Sequence, residues 1–397
     1  MRVALTTYAL HVGGMETCIL SLAEGFVRAG HEVHIVTTDE RGAWFARSDE
    51  VGAQAHFIDG GMRKSRASRA RTIGRFLAKG GFDAVINSAS WFVQASLGML
   101  PAETATVSVI HNSSEAVVSL ACLNARACQA LVAPSPATVD LARSRVSREK
   151  VHLIQYGVDI LESPPPARAE SELRVVFCGR IDHSQKGVLL LPEIVRQVSG
   201  SGVSIRLEVI GGGPDIEKLT RLIEEAGVSH QVELVGPLSH ARSLDKIRAA
   251  DALILPSFFE GLPFVPLEAM ANGAIPVISL LPGITDWMVE DRASGFLLAP
   301  GDVQGFSDAL VVLGRDPELR QRMSRAAWER AREHFSVARM VNSYLLLVEE
   351  LRSQPRRKTD VPALAPDMVQ WKDRIPFPLR HAGGRLLRMV RAGRGAP

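Results

Sequence analysis

Glu260 and Glu268 stand eight positions apart in the stretch Ser257-Phe258-Phe259-Glu260-Gly261-Leu262-Pro263-Phe264-Val265-Pro266-Leu267-Glu268. A carboxylate accepts hydrogen bonds from several hydroxyl groups, so two of them, one on a loop and one on a helix, can hold a polyhydroxylated ligand at two points. Gly261, Pro263 and Pro266 predict an irregular first part. Residues 267–271 predict a helix closed by Asn272 and Gly273. The apolar run 252–255 before the pair and the run 275–278 after it read as buried strands. Strand, loop, helix, strand is the parallel-sheet unit whose ligands bind beyond the carboxyl ends of the strands.

Two cations carry complementary chemistry. Arg180 and Lys186 lie six positions apart, just past the strand predicted over residues 173–178, and bracket a loop leading to a helix from Val188. Both reach one ligand at the strand's end. Arginine supplies a planar fork of donors and lysine a point charge, which together suit a diphosphate. Gly13 and Gly14 follow the first strand and open the first helix. Glycine admits a ligand close to the backbone, and a helix N-terminus offers free amide donors, an arrangement for a phosphate or a sugar hydroxyl. A Gly-Gly pair alone is most often just a turn. Val209-Ile210-Gly211-Gly212-Gly213-Pro214 is another glycine loop after a strand, without the spaced glycines of a dinucleotide fingerprint. His111 ends the apolar strand 107–110, where a lone histidine is usually structural and its protonation state is open.

The glutamate pair, followed by Gly273 and the strand Ile275-Pro276-Val277-Ile278, resembles the donor-site signature of the retaining glycosyltransferases of family 4, which have the GT-B architecture. The resemblance implies that Glu268 accepts hydrogen bonds from a nucleotide ribose and that Glu260 contacts the transferred sugar, with Leu262 and Pro263 on the same donor side. It implies that Arg180 and Lys186 stabilise the diphosphate as its leaving oxygen gains charge. Gly13-Gly14-Met15-Glu16 is similar to the family's Gly-Gly-x-Glu, and the Gly212 loop to its Gly-x-Gly-Pro turn near the nucleotide. His111 resembles the family's histidine at the end of an N-domain strand facing the cleft, where it contacts the donor sugar or helps stabilise charge. Tyr156-Gly157-Val158-Asp159 is similar to its Asn-Gly-Val-Asp turn with the first residue changed.

The fold so implied is α/β, GT-B: two doubly wound parallel-sheet (Rossmann-like) domains facing across a cleft, with C-terminal helices. The implied activity is retaining transfer of a hexosyl unit from a nucleotide sugar, a UDP-sugar or GDP-mannose, to a saccharide or lipid-linked acceptor. In retaining enzymes of this kind the acceptor is thought to attack from the face the leaving group departs. No Asp-x-Asp occurs, and no histidine, cysteine or carboxylate cluster has zinc spacing. The expected enzyme therefore needs no metal and no cofactor. A sugar-nucleotide epimerase, a sugar phosphorylase and a nucleotide-sugar-binding protein without turnover share the scaffold; a nicotinamide enzyme is disfavoured by the glycine spacing.

At 397 residues the chain suggests two domains, and 22% charged with 46% hydrophobic residues are values of a soluble globular enzyme. The longest uncharged stretch, 84–102, is too polar and broken to span a bilayer. The N-terminus reads as a short strand rather than a signal peptide. Cys18, Cys122, Cys128 and Cys178 form no Cys-x-x-Cys pair and read as structural thiols in a reducing cytoplasm.

Residues 2–6, 32–37, 84–87, 105–110 and 130–133 read as strands, with helical spacing over 16–29 and 136–145. A proline-rich polar stretch follows. A second alternation has strands at 173–178, 205–210, 232–235, 252–255, 275–278 and 295–298, then helices at 317–334 and 337–351. The expected division is an acceptor-side domain over 1–163, a linker over 164–172 and a nucleotide-sugar domain over 173–335. A helix over 336–352 would return to the first domain, ahead of a basic tail over 353–397, disordered or membrane-interfacial.

The net charge of +3 is uneven. The tail has ten Lys or Arg against three Asp, and residues 60–82 have seven cations and no acid, with Ala70, Ile73 and Leu77 at helical spacing. Each segment suits an interfacial helix on anionic lipid, at the cytoplasmic face of an inner membrane, or equally a solvated face or a disordered tail. Nucleic acid is not an expected partner, because aromatics are not interleaved with the charge.

Overall fold

The computed structural model describes residues 1–61, 63–163, 172–356, 362–366, 368 and 373. The chain forms two compact units: Met1–Pro134 with Thr138–Ile154 and Val341–Pro397, and Ser135–Ala137 with Gln155–Met340. The changeover at Ile154 comes nine residues before the expected boundary at 163, and the linker stretch 164–171 lies outside the described residues.

In the first unit, β1 (Arg2–Thr7), β2 (Glu32–Thr37), β3 (Gln54–Phe57), β4 (Ala84–Ser88), β5 (Ala105–Val109), β6 (Ala130–Ala133) and β7 (Val151–Leu153) form one sheet, ordered β3-β2-β1-β4-β5-β6-β7. Every pairing is parallel. The inner strands β4, β5 and β6 are buried along their whole length, which is why they read as unbroken runs of small and β-branched residues. Polar groups inside are satisfied locally: Thr6 Oγ1 donates to Asn87 Oδ1 at 3.0 Å, and Asn87 Nδ2 and Ser108 Oγ donate to Gln94 Oε1 at 3.0 and 2.6 Å.

The second unit has β8 (Leu173–Cys178), β9 (Ile205–Ile210), β10 (Val232–Gly236), β11 (Ala252–Leu255), β12 (Ile275–Ser279) and β13 (Phe296–Leu298), ordered β10-β9-β8-β11-β12-β13 and again wholly parallel. In both sheets the strand order reverses beside the first strand, the doubly wound pattern the sequence predicts.

The basic helix needs correction, and so does the start of the basic tail. The helix Arg66–Lys79 turns Ala67, Ala70, Ile73 and Leu77 into the first unit's core, each no more than 1% exposed, so it has no apolar face left to insert into a bilayer. Part of the expected tail is structural. Arg356 donates to the carbonyls of Leu97, Leu100, Pro101 and Ala127, and Ala365 and Met368 join the same core. The Arg-rich run 385–394 lies outside the described residues. Among the described residues no helix is long and apolar enough to cross a membrane. All four cysteines carry free thiols; burial pushes Cys18 up to about 12 and Cys178 up to about 11, which keeps both unreactive.

Candidate functional site

β8 and β11 are neighbours through Ala252 on Val175 and Leu253 on Val176, and the order reverses between them. Ligands of doubly wound sheets bind beyond the carboxyl ends of strands at such a reversal. The loop after β8 carries Arg180 and Lys186; the loop after β11 carries Glu260. Asp182 caps the single turn His183–Lys186 by accepting from the Ser184 amide at 3.1 Å. Gly187 ends the turn at φ +65°, and a Cβ there would collide with the Pro256 carbonyl, so only glycine lets this loop lie on the end of β11. The Phe258 amide donates to the Gln185 carbonyl at 2.8 Å, tying the loops together.

The two loops bring Lys186 and Glu260 into contact. Lys186 Nζ lies 2.6 Å from Glu260 Oε1, Ser257 Oγ donates to the same oxygen at 2.7 Å, and Gln185 Nε2 lies 3.5 Å from Oε2. Glu260 is 6% exposed. A buried carboxylate persists only when charge and hydrogen bonds replace its water, and these three groups do so. The ammonium is held with two further donors still to give. Arg180 behaves differently: its side chain is 68% exposed, with Nε 3.9 Å from Asp182 Oδ2, so the guanidinium extends into solvent from the same loop. Ser257 and Gln185 were not predicted; their position beside Glu260 and Lys186 in the two loops was the available signal.

Glu268 lies on the helix Phe264–Ala271. The helix starts three residues earlier than predicted, because Pro266 falls in the first turn, where the amide a proline lacks has no intrahelical partner anyway. Pro263 is the cap residue and Leu262 is buried, so these two shape the helix entry. Gly273 closes the helix at φ +75°, its amide reaching the Met270 carbonyl at 3.0 Å and the Ala274 amide the Ala269 carbonyl at 2.9 Å. Glu268 is buried, with Oε1 2.6 Å from His240 Nε2. His240 went unrecognised in the sequence, although Gly236-Pro237 and the cap Ser239 place it just past the end of β10. In the glycine loop, a Cβ on Gly211 or Gly213 would collide with backbone, whereas one on Gly212 would meet the Pro237 ring, at 3.3 Å from Cγ. Packing therefore demands the outer two glycines and leaves Gly212 as the one open to a ligand.

Gly13, Gly14 and His111 belong to the first unit. Gly13 caps the helix Gly14–Arg28 in extended backbone, and a Cβ on it would come 2.7 Å from Glu16 Oε2. Glu16 is buried in the first turn, and burial raises its pKa. His111 follows β5 and is also buried; desolvation lowers its pKa from 6.5 to about 3, so the ring is neutral at physiological pH. An unfolded chain protonates this imidazole near pH 6.5 and the folded chain does not, so its contribution to stability is complete above pH 6.5 and is lost as pH falls towards 3. At about 1.4 kcal/mol per pH unit, roughly 2 kcal/mol should go by about pH 5. Denaturant melts at neutral pH and near pH 5 should accordingly differ less in His111→Asn than in the wild type; equal differences would contradict a buried neutral imidazole.

Residues 12–161, which include Gly13, Gly14 and His111, match the model of Glycosyltransferase Family 4, and residues 160–330, which include Arg180, Lys186, Glu260 and Glu268, match Glycosyl transferases group 1. The chain belongs to glycosyltransferase family 4. This family-4 chain is 32% identical over 178 residues to WcaL of Escherichia coli K12, named for glycosyl transfer in colanic acid biosynthesis, covering 42% of the chain and 43% of WcaL. It is 29% identical over 232 residues to the D-inositol 3-phosphate glycosyltransferase of Mycolicibacterium smegmatis, covering 54% and 51%. The chain thus spans about half the length of the curated relatives it matches. Anabaena HepE, solved in complex with UDP, superposes on 88% of the family-4 chain and 100% of its own with a TM-score of 0.72 at 17% identity, which bears out the GT-B fold class.

Proposed function

We propose that this chain is a retaining, metal-independent glycosyltransferase that moves a hexosyl unit from a UDP-sugar or GDP-mannose to a saccharide or lipid-linked acceptor, in cell-surface polysaccharide or glycoconjugate biosynthesis. The observation that carries the reading is Lys186 held on buried Glu260 at the strand-order reversal. Negative charge grows on the departing diphosphate as the glycosidic bond breaks, and a preorganised ammonium stabilises it without reorganising at that moment. Arg180 reaches the same leaving group from the exposed end of its loop. Glu268 takes the ribose hydroxyls, Gly212 admits the nucleotide to the backbone, and Glu260 orients the donor sugar while holding Lys186. In the first unit, neutral His111 and the Gly13-Gly14 backbone are suited to a sugar hydroxyl or a phosphate.

Incubating the chain with α-linked UDP- and GDP-hexoses in the presence of EDTA, and following released nucleoside diphosphate and product anomer by NMR, tests this reading. The expected result is nucleotide release untouched by EDTA and an α-configured product. Release that needs a divalent cation removes metal independence, a β-configured product removes retention, and epimerised donor with no transfer favours the epimerase.

The lipid-linked acceptor rests on surface charge. On the helix Arg66–Lys79, Arg71, Arg75 and Lys79 point outward at four-residue spacing, exposed and without an ion pair among the described residues. With its apolar side in the core, this ridge adsorbs to an anionic leaflet by charge alone, as expected of a protein working at the cytoplasmic face. Sedimentation with phosphatidylglycerol vesicles should be strong at low salt, lost near 0.5 M salt as screening predicts, and lost in Arg71→Glu with Arg75→Glu. Salt-resistant binding, or binding by the double variant, contradicts adsorption through this ridge.

A further inference from the structure

We propose that His240 is a positioning residue for the donor ribose, acting through Glu268; the inference rests on the assignment of Glu268 to that ribose. Glu268 is buried on its helix after β11, and among the described residues His240 supplies the side-chain hydrogen bond to its carboxylate, Nε2 to Oε1 at 2.6 Å. The imidazole is the more accessible partner, with 28% of its side chain exposed against 9% for Glu268. Neither helix is free to shift. Ile247, on the helix His240–Ala249, and Ala269, beside Glu268, pack into one cluster with Val176, Ile210 and Leu253 of the sheet. Ser239 caps the His240 helix by accepting from the Arg242 amide at 3.4 Å, fixing the turn that presents the ring.

A glutamate has three side-chain torsions, and a ring nitrogen on one carboxylate oxygen selects a single orientation. Oε1 is engaged by the imidazole, so the hydroxyl-accepting edge of Glu268 is aimed before any ligand arrives. Recognition of ribose hydroxyls then costs no reordering of the carboxylate. Without the ring, the carboxylate samples other rotamers. Nucleotide binding persists and discrimination by the ribose hydroxyls fades.

The test compares affinities for UDP and 2′,3′-dideoxy-UDP, with GDP and its dideoxy counterpart in parallel. The wild type should prefer the hydroxylated nucleotide by about tenfold or more. Glu268→Ala should abolish the preference, and His240→Leu should cut it to about threefold or less while raising donor KM more than it lowers kcat. His240→Gln, whose amide reaches the same carboxylate oxygen, should keep it. If His240→Leu does not fold, His240→Asn, with an amide too short to reach, makes the same comparison. No preference in the wild type in either series, and no change in Glu268→Ala, removes the ribose assignment itself. A preference lost in Glu268→Ala but intact in folded His240→Leu or His240→Asn overturns the role of His240 alone.

Discussion

Lys186→Ala should lower turnover by about two to three orders of magnitude, the usual effect of deleting a preorganised group that stabilises transition-state charge. It should also destabilise the chain, because buried Glu260 loses the Lys186 ammonium and keeps Ser257 and Gln185. Breaking such a pair from one side costs about 3 kcal/mol or more. The two effects are separable. In the double variant Lys186→Ala with Glu260→Gln, the neutral amide keeps a hydrogen bond to Ser257 and no charge is stranded, so denaturant stability should return most of the way to wild type. Turnover should stay low. Steady-state rates with equilibrium melts on the three proteins check this; recovery of turnover together with stability would reduce Lys186 to a structural counter-ion.

Glu268→Ala should act on binding. Charge-assisted hydrogen bonds to ribose hydroxyls contribute about 1.5–3 kcal/mol, so nucleotide affinity should fall roughly ten- to a hundredfold. The melting-temperature rise that saturating nucleotide gives the wild type should shrink accordingly. The fold should survive, because His240 is partly exposed and water can replace its lost partner. A variant that binds nucleotide as tightly as the wild type would show that Glu268 serves the helix and not the ligand.

Much of this was legible in the chain because inner parallel strands are covered on both faces. The strands β2, β6, β8 and β11 begin and end where their apolar runs do, and β9 where its alternation does, with Arg206 exposed between buried Ile205 and Leu207. β3 and β7 escaped for the converse reason: they are short edge strands, with Gln54 and Leu153 exposed, and carry no such run. Pro266 misled because a proline near a helix start is compatible with the helix as well as with the loop before it. The positions of Lys186 and Glu260 were readable; their contact was not, since it is made by two loops 74 residues apart meeting at a reversal of strand order. His240 and Glu268 are joined the same way across 28 residues. The basic helix Arg66–Lys79 shows the limit of periodicity, because an apolar stripe fits a membrane face and a protein core equally well, and only tertiary packing decides.

The central claim is that the reversal between β8 and β11 holds a nucleotide sugar by its diphosphate, without metal. Calorimetric titration of the wild type and of the Lys186→Ala, Glu260→Gln double variant with UDP- and GDP-hexoses in EDTA addresses it directly. One-to-one binding of at least one donor by the wild type is expected, weakened at least about tenfold in the stable double variant. Failure of every donor to bind the wild type, or equal binding by both proteins, would contradict it.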